Sequence, residues 1–322
     1  MQKNRLGAHG PELSVIALGG HEYLADGRSR GFNEDRRLAT LPGHIGPGYG
    51  GAARLEMLGA AYELGINVFD ATMDSEKEAL GRNMREIPPP YEVYILSRPE
   101  GMCYGYDANN RKLLDYSLLR AEVERMLKLL RRDAIDLLNI GLLNGSIESD
   151  PDYMAHLAHN VTRLKTDGLI RYAVADSHSG GALYLKMLET GVFDAMNIDL
   201  NFGDVCGLRA VVPKARSNGL HVIAREVMLK GALFTIGASV GLTDKSLLAR
   251  VAVKWVVEQS PDCVIIGASD AAQLRSNVDA ALSGPMDESE KYILKMLTDS
   301  PLFKMHAKAK DRSFLAIDES VE

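Results

Sequence analysis

The sequence predicts a (β/α)8 TIM barrel with an amino-terminal β-hairpin and extra helices at its carboxy terminus. Eight short apolar runs alternate with longer segments of helical periodicity, and a strand–helix alternation repeated eight times is typical of this barrel. The runs are almost continuously hydrophobic, which indicates strands that are buried on both faces of a parallel sheet. The length of 322 residues is compatible with one barrel domain over 1–322 without an internal linker.

The predicted strands share β-branched and apolar residues and are followed by polar or glycine-rich turns. They lie at 16–20, 66–71, 93–98, 136–141, 172–176, 195–201, 221–226 and 263–268. Before them, RLGAHGPELSVI over 5–16 predicts a hairpin with His9-Gly10-Pro11 as its turn, closing the floor of the barrel.

The helical segments show apolar residues at three- and four-residue spacing, and several end at a glycine, a residue type that commonly terminates helices. They lie at 53–64, 115–131, 152–167, 179–190, 204–218, 244–259 and 271–282. Residues 286–315 add one or two terminal helices.

The longest segment without a pattern, 22–50, is rich in Gly, Pro and Arg. Loops of this length are commonly functional or disordered. Because it follows the first barrel strand, we expect it to form a rim or lid over the carboxyl ends of the strands, where barrel active sites lie. The sequence therefore predicts a long active-site loop over 22–50.

Composition argues against several classes of function. Hydrophobic residues are 46% and charged residues 25%, as in ordinary soluble proteins. The 37 basic and 43 acidic residues give a net charge of −6, which argues against nucleic acid as a partner. No apolar run approaches the roughly 20 residues that cross a bilayer, and no spacing motif indicates a metal site. Three scattered cysteines favour a reducing, cytoplasmic location.

Several segments, taken in order, resemble the aldo-keto reductase superfamily over nearly the whole chain. They are the opening RLGAHGPELSVIALGG, ELGINVFDAT followed by SEKEALG, LKLLRRDAIDLLNIG, RLKTDGLIRYAVADS and VIIGASDAAQLRSN. The resemblance implies a (β/α)8 barrel that reduces carbonyls of small molecules with NADPH.

The resemblance also implies a catalytic tetrad of Asp, Tyr, Lys and His, which this chain keeps only in part. The Asp is present as Asp70, and the Lys position holds Arg98. No tyrosine stands between Asp70 and Glu76, and the His position holds Gly141. The chain is thus interpreted as a divergent member with a degraded tetrad. From the family's Asp–Lys contact we expect an ion pair between Asp70 and Arg98.

If the protein reduces a carbonyl, its proton has to come from another residue. Tyr104 and Tyr106 follow Arg98 in the loop after the third barrel strand. We expect one of them to be the donor, with the charge of Arg98 lowering the pKa of the phenol. Glu226 and His178 are the further candidates for the acid.

Two groups of residues stand where the resemblance implies contacts to NADP or NAD. Gly267, Ser269, Gln273 and Asn277 suit the adenosine phosphate end. The positions that would surround the nicotinamide are occupied by Asp176, Asn197 and Arg225.

Three functions remain open at this point. The first is an oxidoreductase that acts on a small carbonyl or sugar-like substrate with NADP(H) or NAD(H). The second is a redox-neutral lyase, dehydratase or epimerase that uses the charged residues of the barrel mouth as acids and bases. The third is a binding protein without catalysis on the same scaffold.

Overall fold

The computed structural model of the protein describes residues 1–20, 52–177 and 179–319. The predicted active-site loop over 22–50 lies outside these residues. Numbered in chain order, the strands of the described residues are β1 (Lys3–Arg5), β2 (Glu12–Ser14), β3 (Ile16–Leu18), β4 (Val68–Ala71), β5 (Tyr94–Ser97), β6 (Ile135–Leu142), β7 (Ile170–Ser177), β8 (Ala195–Asp199), β9 (His221–Arg225) and β10 (Cys263–Ile266).

Strands β3 to β10 form a closed parallel barrel. Each strand pairs with its neighbour in sequence, and β10 closes the ring by pairing with β3 through Val264↔Ile16 and Ile266↔Leu18. Each of the eight apolar runs thus contains one barrel strand, and the (β/α)8 prediction is confirmed.

Helices connect the strands around the outside of the barrel. They are α1 (Ala52–Glu63), α2 (Asp74–Glu86), α3 (Tyr116–Leu130), α4 (Asn144–Glu148), α5 (Tyr153–Thr166), α6 (Gly181–Glu189), α7 (Cys206–Ala210), α8 (Val212–Ser217), α9 (Ala232–Ser239), α10 (Lys245–Glu258), α11 (Ala271–Leu282), α12 (Glu288–Asp299) and α13 (Pro301–Glu319). No helix in the described part of the chain is both long enough and apolar enough to span a membrane.

The amino-terminal hairpin covers the end of the barrel at which the strands begin. β1 and β2 pair antiparallel, and Asn67, just before β4, ties β2 to the barrel. Its side chain accepts a hydrogen bond from the Ser14 N–H at 2.7 Å and donates to the Glu12 carbonyl at 2.8 Å. Leu6 and Leu13 pack against the apolar residues of the barrel interior. The predicted floor is thus present.

The predicted helix over 204–218 is two short helices. α7 ends at Ala210 and α8 begins at Val212, with Pro213 in the first turn of α8. Proline lacks the N–H that a continuous helix needs and is favoured in a first turn, so the chain breaks its helix here. The prediction of one continuous helix was wrong for this reason.

Candidate active site

The polar residues of the barrel mouth follow from strand alternation. Inward-facing side chains recur at every second position of a barrel strand. In the middle of the barrel these positions are apolar, including Val68, Leu96, Leu137, Val174 and Ile223. One or two inward positions further on, towards the carboxyl ends, stand Asp70, Arg98, Asn139, Gly141, Asp176, Asn197, Asp199, Arg225 and Gly267. A polar mouth therefore lies above the layer of apolar side chains that fills the middle of the barrel, here called the apolar plug.

Asp176, at the end of β7, is the centre of this mouth and has no exposed surface. Its Oδ2 accepts hydrogen bonds from the Tyr104 hydroxyl, from Asn139 Nδ2 at 3.0 Å and from Arg225 Nη1 at 2.6 Å. Its Oδ1 accepts from the Tyr184 hydroxyl at 3.3 Å. A buried carboxylate needs such donors to offset its lost hydration, so Asp176 holds groups from four parts of the chain together.

Arg225, at the end of β9, lies between two carboxylates. Its Nη1 contacts Asp176 and its Nε contacts Asp199 Oδ1, each at 2.6 Å. Burial by itself would lower the pKa of Arg225, but the two carboxylates outweigh this effect and raise the pKa. Arg225 is therefore a fixed positive charge inside the mouth.

Tyr104 enters the mouth from the loop after β5. Its ring occupies the space above Gly141, where a Cβ atom would lie 2.1 Å from Tyr104 Cζ. The guanidinium carbon of Arg98 lies 4.8 Å from the centre of the ring, a cation–π distance. Asn110 supports the loop by donating from Nδ2 to the carbonyls of Tyr104 and Met102, at 2.8 and 3.0 Å.

The protonation of Tyr104 differs from the expectation. Burial is the largest effect and raises the pKa of Tyr104, and Asp176 raises it further. Arg225 and Arg98 lower the pKa, as expected of positive charges, but do not reverse the balance. The phenol is therefore neutral in this structure: Arg98 lowers the pKa of Tyr104 as expected, but burial and the adjacent carboxylate, which the expectation left out, raise it by more.

Arg98 forms its ion pair with Glu100 and not with Asp70. Its Nε lies 2.7 Å from Glu100 Oε2, and its Nη2 lies 3.3 Å from Oε1. Glu100 has no exposed surface and takes up the guanidinium fork in this two-point contact. No ion pair joins Asp70 to Arg98 within the described residues. The half-buried Asp70 instead lines a small cavity with Gly20, Arg54 and Glu76.

A second charged group surrounds Lys310 of α13 at the rim of the mouth. Lys310 Nζ lies 3.8 Å from Asp199, 3.7 Å from Asp204 and 3.7 Å from Glu226, and Lys230 approaches Glu226 at 2.7 Å. Burial, followed by the charge of Asp199, raises the pKa of Glu226 to about 7 and that of Asp204 to about 6. Both acids thus titrate near neutral pH.

Sequence reasoning identified Glu226 but missed Asn139, Tyr184, Asp204 and Lys310. Asn139 carries a signal, because it is a polar residue at an inward position of an otherwise apolar strand. No local pattern indicates Lys310, which reaches the mouth from α13, far along the chain from the strands that it contacts. Tyr106 closes the turn that carries Tyr104, with its N–H donating to the Cys103 carbonyl at 3.1 Å.

The residues expected to contact a nucleotide fall in two places. Gly267, Ser269 and Gln273 are exposed after β10 and at the start of α11, and Gln273 Oε1 accepts from the Ser269 N–H at 3.1 Å. Asn277 is buried and donates to the Gly267 carbonyl at 3.5 Å. Asp270 caps α11 by accepting from the Gln273 N–H at 2.8 Å.

Asn197 lies inside the mouth beside Asp176. It is 3% exposed, and its Oδ1 receives no hydrogen bond from the described residues. A buried acceptor without a donor is costly, and the amide N–H of a nicotinamide carboxamide is a donor of the matching kind. The open segment after β10 and this inward acceptor together fit a nicotinamide dinucleotide.

Comparisons with known proteins concern the family and the fold of the chain. The model of the Aldo/keto reductase family matches residues 51–241, which is more than half of the chain. A search of curated proteins finds no match. The fold is similar to the glycerol dehydrogenase AKR11B4 from Gluconobacter oxydans, with a TM-score of 0.64 and 18% identity, over 92% of this chain and 95% of that one.

The fold is also similar to the aldo-keto reductase AKR11C1 from Bacillus halodurans. Its holo form matches with a TM-score of 0.66 and 17% identity, over 95% of this chain and 99% of that one. Its apo form matches with a TM-score of 0.65 and 16% identity, over the same 95% and 99%. Such low identities establish the architecture, whereas membership of a family rests on the sequence match.

Proposed function

The chain belongs to the aldo/keto reductase family, and on this premise we propose that it interconverts a small carbonyl or sugar-like compound and the corresponding alcohol with NADP(H) or NAD(H). The observation that carries the proposal is the polar mouth above the apolar plug of the barrel. Side chains that bear protons and charge converge there, at the end of the barrel where such folds place their reactions.

The residues divide between binding and proton transfer. Gly267, Ser269, Gln273 and Asn277 would hold the adenosine phosphate end of the cofactor. Asn197 would accept from the carboxamide, and Arg225, held between Asp176 and Asp199, would lie beside the nicotinamide ring.

The cofactor, when bound, supplies or accepts a hydride. Asp70 and Arg98 would shape the charge of the mouth, and Tyr104, Tyr106 and Glu226 are the groups that can exchange a proton with the substrate oxygen.

A cofactor titration tests this proposal. We expect NADPH or NADH fluorescence to change saturably on binding. Gln273→Glu adds a negative charge at the phosphate end and should weaken binding by about tenfold, or about 1.4 kcal/mol. Gln259→Glu makes the same chemical change at the end of α10, just before the strand that enters the barrel floor, and should leave binding unaltered. Absence of binding for both cofactors would contradict the proposal.

One observation favours the redox-neutral alternative. Glu226 and Asp204 have pKa values raised to about 7 and about 6, which suits general acid–base chemistry near neutral pH. In that case the enzyme would exchange a proton beside a substrate carbonyl without any nicotinamide. Deuterium uptake from D2O at the substrate carbon next to the carbonyl, if it is lost in Glu226→Gln, would favour the alternative. Uptake that depends on added cofactor would not favour it.

A further inference from the structure

We propose that Tyr104 is the acid–base residue of this site, seated in the place that the missing side chain of residue 141 leaves open. The inference rests on the proposed function and selects one residue among its candidates. The Tyr104 hydroxyl is then positioned by three parts of the site, which are Gly141, Asp176 and the loop that begins at Arg98.

The first step of the argument is the close fit between Tyr104 and Gly141. A Cβ atom at residue 141 would lie 2.1 Å from Cζ, 2.4 Å from Cε1 and 2.5 Å from the hydroxyl oxygen of Tyr104. Real side chains do not approach so closely, so the ring and any side chain at 141 exclude each other. Residue 141 is an inward position of β6 at the level of Asp176, with which it is in register. Tyr104 therefore presents its hydroxyl where a side chain of β6 would otherwise reach the mouth.

The second step is that the loop holds Tyr104 in a strained conformation. Tyr104 has φ 49°, and Asn109 and Asn110 have φ 54° and 48°. A positive φ is unusual for a bulky residue such as Tyr104, whereas asparagine adopts it more readily. Asn110 stabilises the loop through its bond to the Tyr104 carbonyl, and the Tyr153 hydroxyl donates to the Asn110 carbonyl at 2.9 Å. Strain that surrounding contacts maintain in this way is common at functional positions.

The third step is the state of the proton. The hydroxyl donates to Asp176 Oδ2, so the phenol is protonated and its hydrogen has a defined direction. When that hydrogen turns towards a substrate oxygen, Asp176 keeps Asn139 and Arg225 as donors. Asp176 therefore positions Tyr104 and stays satisfied when the proton leaves.

The proton transfer then balances as follows. In reduction the Oη–H bond of Tyr104 breaks and its proton forms the O–H bond of the product alcohol. The pair of electrons left on Oη makes a phenolate near Arg98 and Arg225, and both charges lower the pKa of Tyr104. The raised pKa of the resting phenol does not prevent the step, because the substrate alkoxide that accepts the proton is a base comparable in strength to hydroxide. In oxidation the proton returns from the substrate hydroxyl to Oη.

Of the other candidates, Tyr106 and Glu226 are less suitable in this structure, and His178 lies outside the described residues. Tyr106 is half-buried and closes the turn through its backbone N–H. The tyrosine of this loop that donates to Asp176 is Tyr104. Glu226 lies at the rim, where Lys230 and Lys310 share its carboxylate. Tyr104 is thus the candidate that combines burial, a fixed proton and two nearby guanidinium groups.

Kinetics of matched variants test the proposal. Tyr104→Phe should lower kcat by about 10²- to 10⁴-fold, the usual contribution of a positioned acid, with cofactor affinity unchanged. Tyr292→Phe makes the same chemical change on α12, where the side chain is 65% exposed, and should alter kcat by less than about tenfold. If the wild type turns over and Tyr104→Phe retains more than about a tenth of its kcat, Tyr104 is not the acid and the proposed function stands. If the wild type neither binds cofactor nor turns over, both fail.

A second measurement needs no cofactor. In protein labelled with 13C at tyrosine Cζ, the signal lost in Tyr104→Phe identifies Tyr104. Exposed tyrosines ionise at about pH 10, and we expect the Tyr104 signal to remain that of a neutral phenol above this pH. We also expect its chemical shift to change in Gly141→Ala. Ionisation of Tyr104 with the exposed tyrosines, or an unchanged signal in Gly141→Ala, would overturn the proposed position. Circular dichroism of each variant confirms that the barrel is folded.

Discussion

At the scale of single residues, the absence of a side chain at Gly141 determines where Tyr104 lies. The overlap between an added Cβ and the ring is too large for small adjustments in a close-packed interior. Gly141 does not have positive φ, so alanine suits its backbone and the cost of a substitution comes from the ring.

A double-mutant cycle between Gly141 and Tyr104 measures this cost. Gly141→Ala should lower the free energy of unfolding by about 1–3 kcal/mol, the usual effect of overpacking. In a Tyr104→Ala background the ring is gone, and the same change should cost far less. Chemical denaturation of the four proteins gives the coupling energy. Additive effects would mean that the two residues do not compete for space.

Asp176 supplies a second prediction at this scale. Asp176→Asn removes the negative charge that faces Arg225 but keeps the size of the side chain. Breaking a buried pair from one side costs about 3–5 kcal/mol, and because Arg225 keeps Asp199 we expect a loss near about 3 kcal/mol. Denaturant unfolding measures it. A loss well under about 1 kcal/mol, the range of surface pairs, would show that the carboxylate does not hold the mouth together.

Which residues line the mouth could be predicted from the sequence, and how they pair could not. Asp70, Arg98, Asp176 and Arg225 stand at or just after the ends of apolar runs, so parallel strands bring them to one end of the barrel. The partner of Arg98 is Glu100 rather than Asp70, because side-chain direction in a loop after a strand depends on tertiary packing. The same limit applies to Tyr104, whose choice of Asp176 depends on the space above Gly141.

At the scale of elements, the last helix α13 contributes to the mouth. Phe303 stacks on Phe202 with ring centres 5.5 Å apart, and Cys206 Sγ lies 3.0 Å from Asp311 Oδ1. Lys310 then reaches the carboxylates at the ends of β8 and β9. Periodicity over 286–315 predicted a terminal helix, but where that helix packs depends on these contacts between distant parts of the chain.

The carboxylates around Lys310 make stability depend on pH. The folded-state pKa values of Glu226 and Asp204 are raised to about 7 and about 6, so the folded protein holds protons that the unfolded chain releases at lower pH. Below about pH 4, where the carboxyl groups of the unfolded chain are protonated as well, this contribution to the free energy of unfolding is fully present. It is lost as the pH rises through about 6 and about 7, the folded-state pKa values of the two acids.

Thermal unfolding of Glu226→Gln tests this dependence. The uncharged amide removes one of the two acids, so the fall in melting temperature between pH 5.5 and pH 8 should be smaller in the variant than in the wild type. Glu288→Gln, on the exposed start of α12, is the matched control and should keep the wild-type fall. An equal fall in all three proteins would show that Glu226 does not titrate in this range.

At the scale of the whole molecule, the sequence predicted the fold because the local signals agree. Each apolar run contains a strand, and most predicted helices begin and end within two residues of their observed bounds. The short helices α4 and α9 were missed because their five and eight residues are too few to show a helical period. A closed ring of eight short strands has no free edge. Local signals that place each strand and the helix after it are therefore enough to specify the barrel.

We predict that the chain unfolds as one domain. Trp255 is the single tryptophan, and it packs edge-on against Phe202 with ring centres 6.2 Å apart. Its fluorescence reports on contacts between α10 and the loop after β8, whereas far-ultraviolet circular dichroism reports on all helices. The two denaturation curves should coincide, as in a two-state transition. Curves with separate midpoints would indicate more than one folding unit.

A crystal structure with NADPH is the most direct measurement of the proposed oxidoreductase site. The proposed function predicts density that runs from the segment Gly267–Asn277 into the mouth, with the carboxamide at Asn197 and the nicotinamide ring beside Arg225. The Tyr104 hydroxyl should then face the space above the ring where a carbonyl would lie. A mouth without cofactor density at saturating NADPH, or NADPH bound elsewhere on the barrel, would contradict the proposed oxidoreductase.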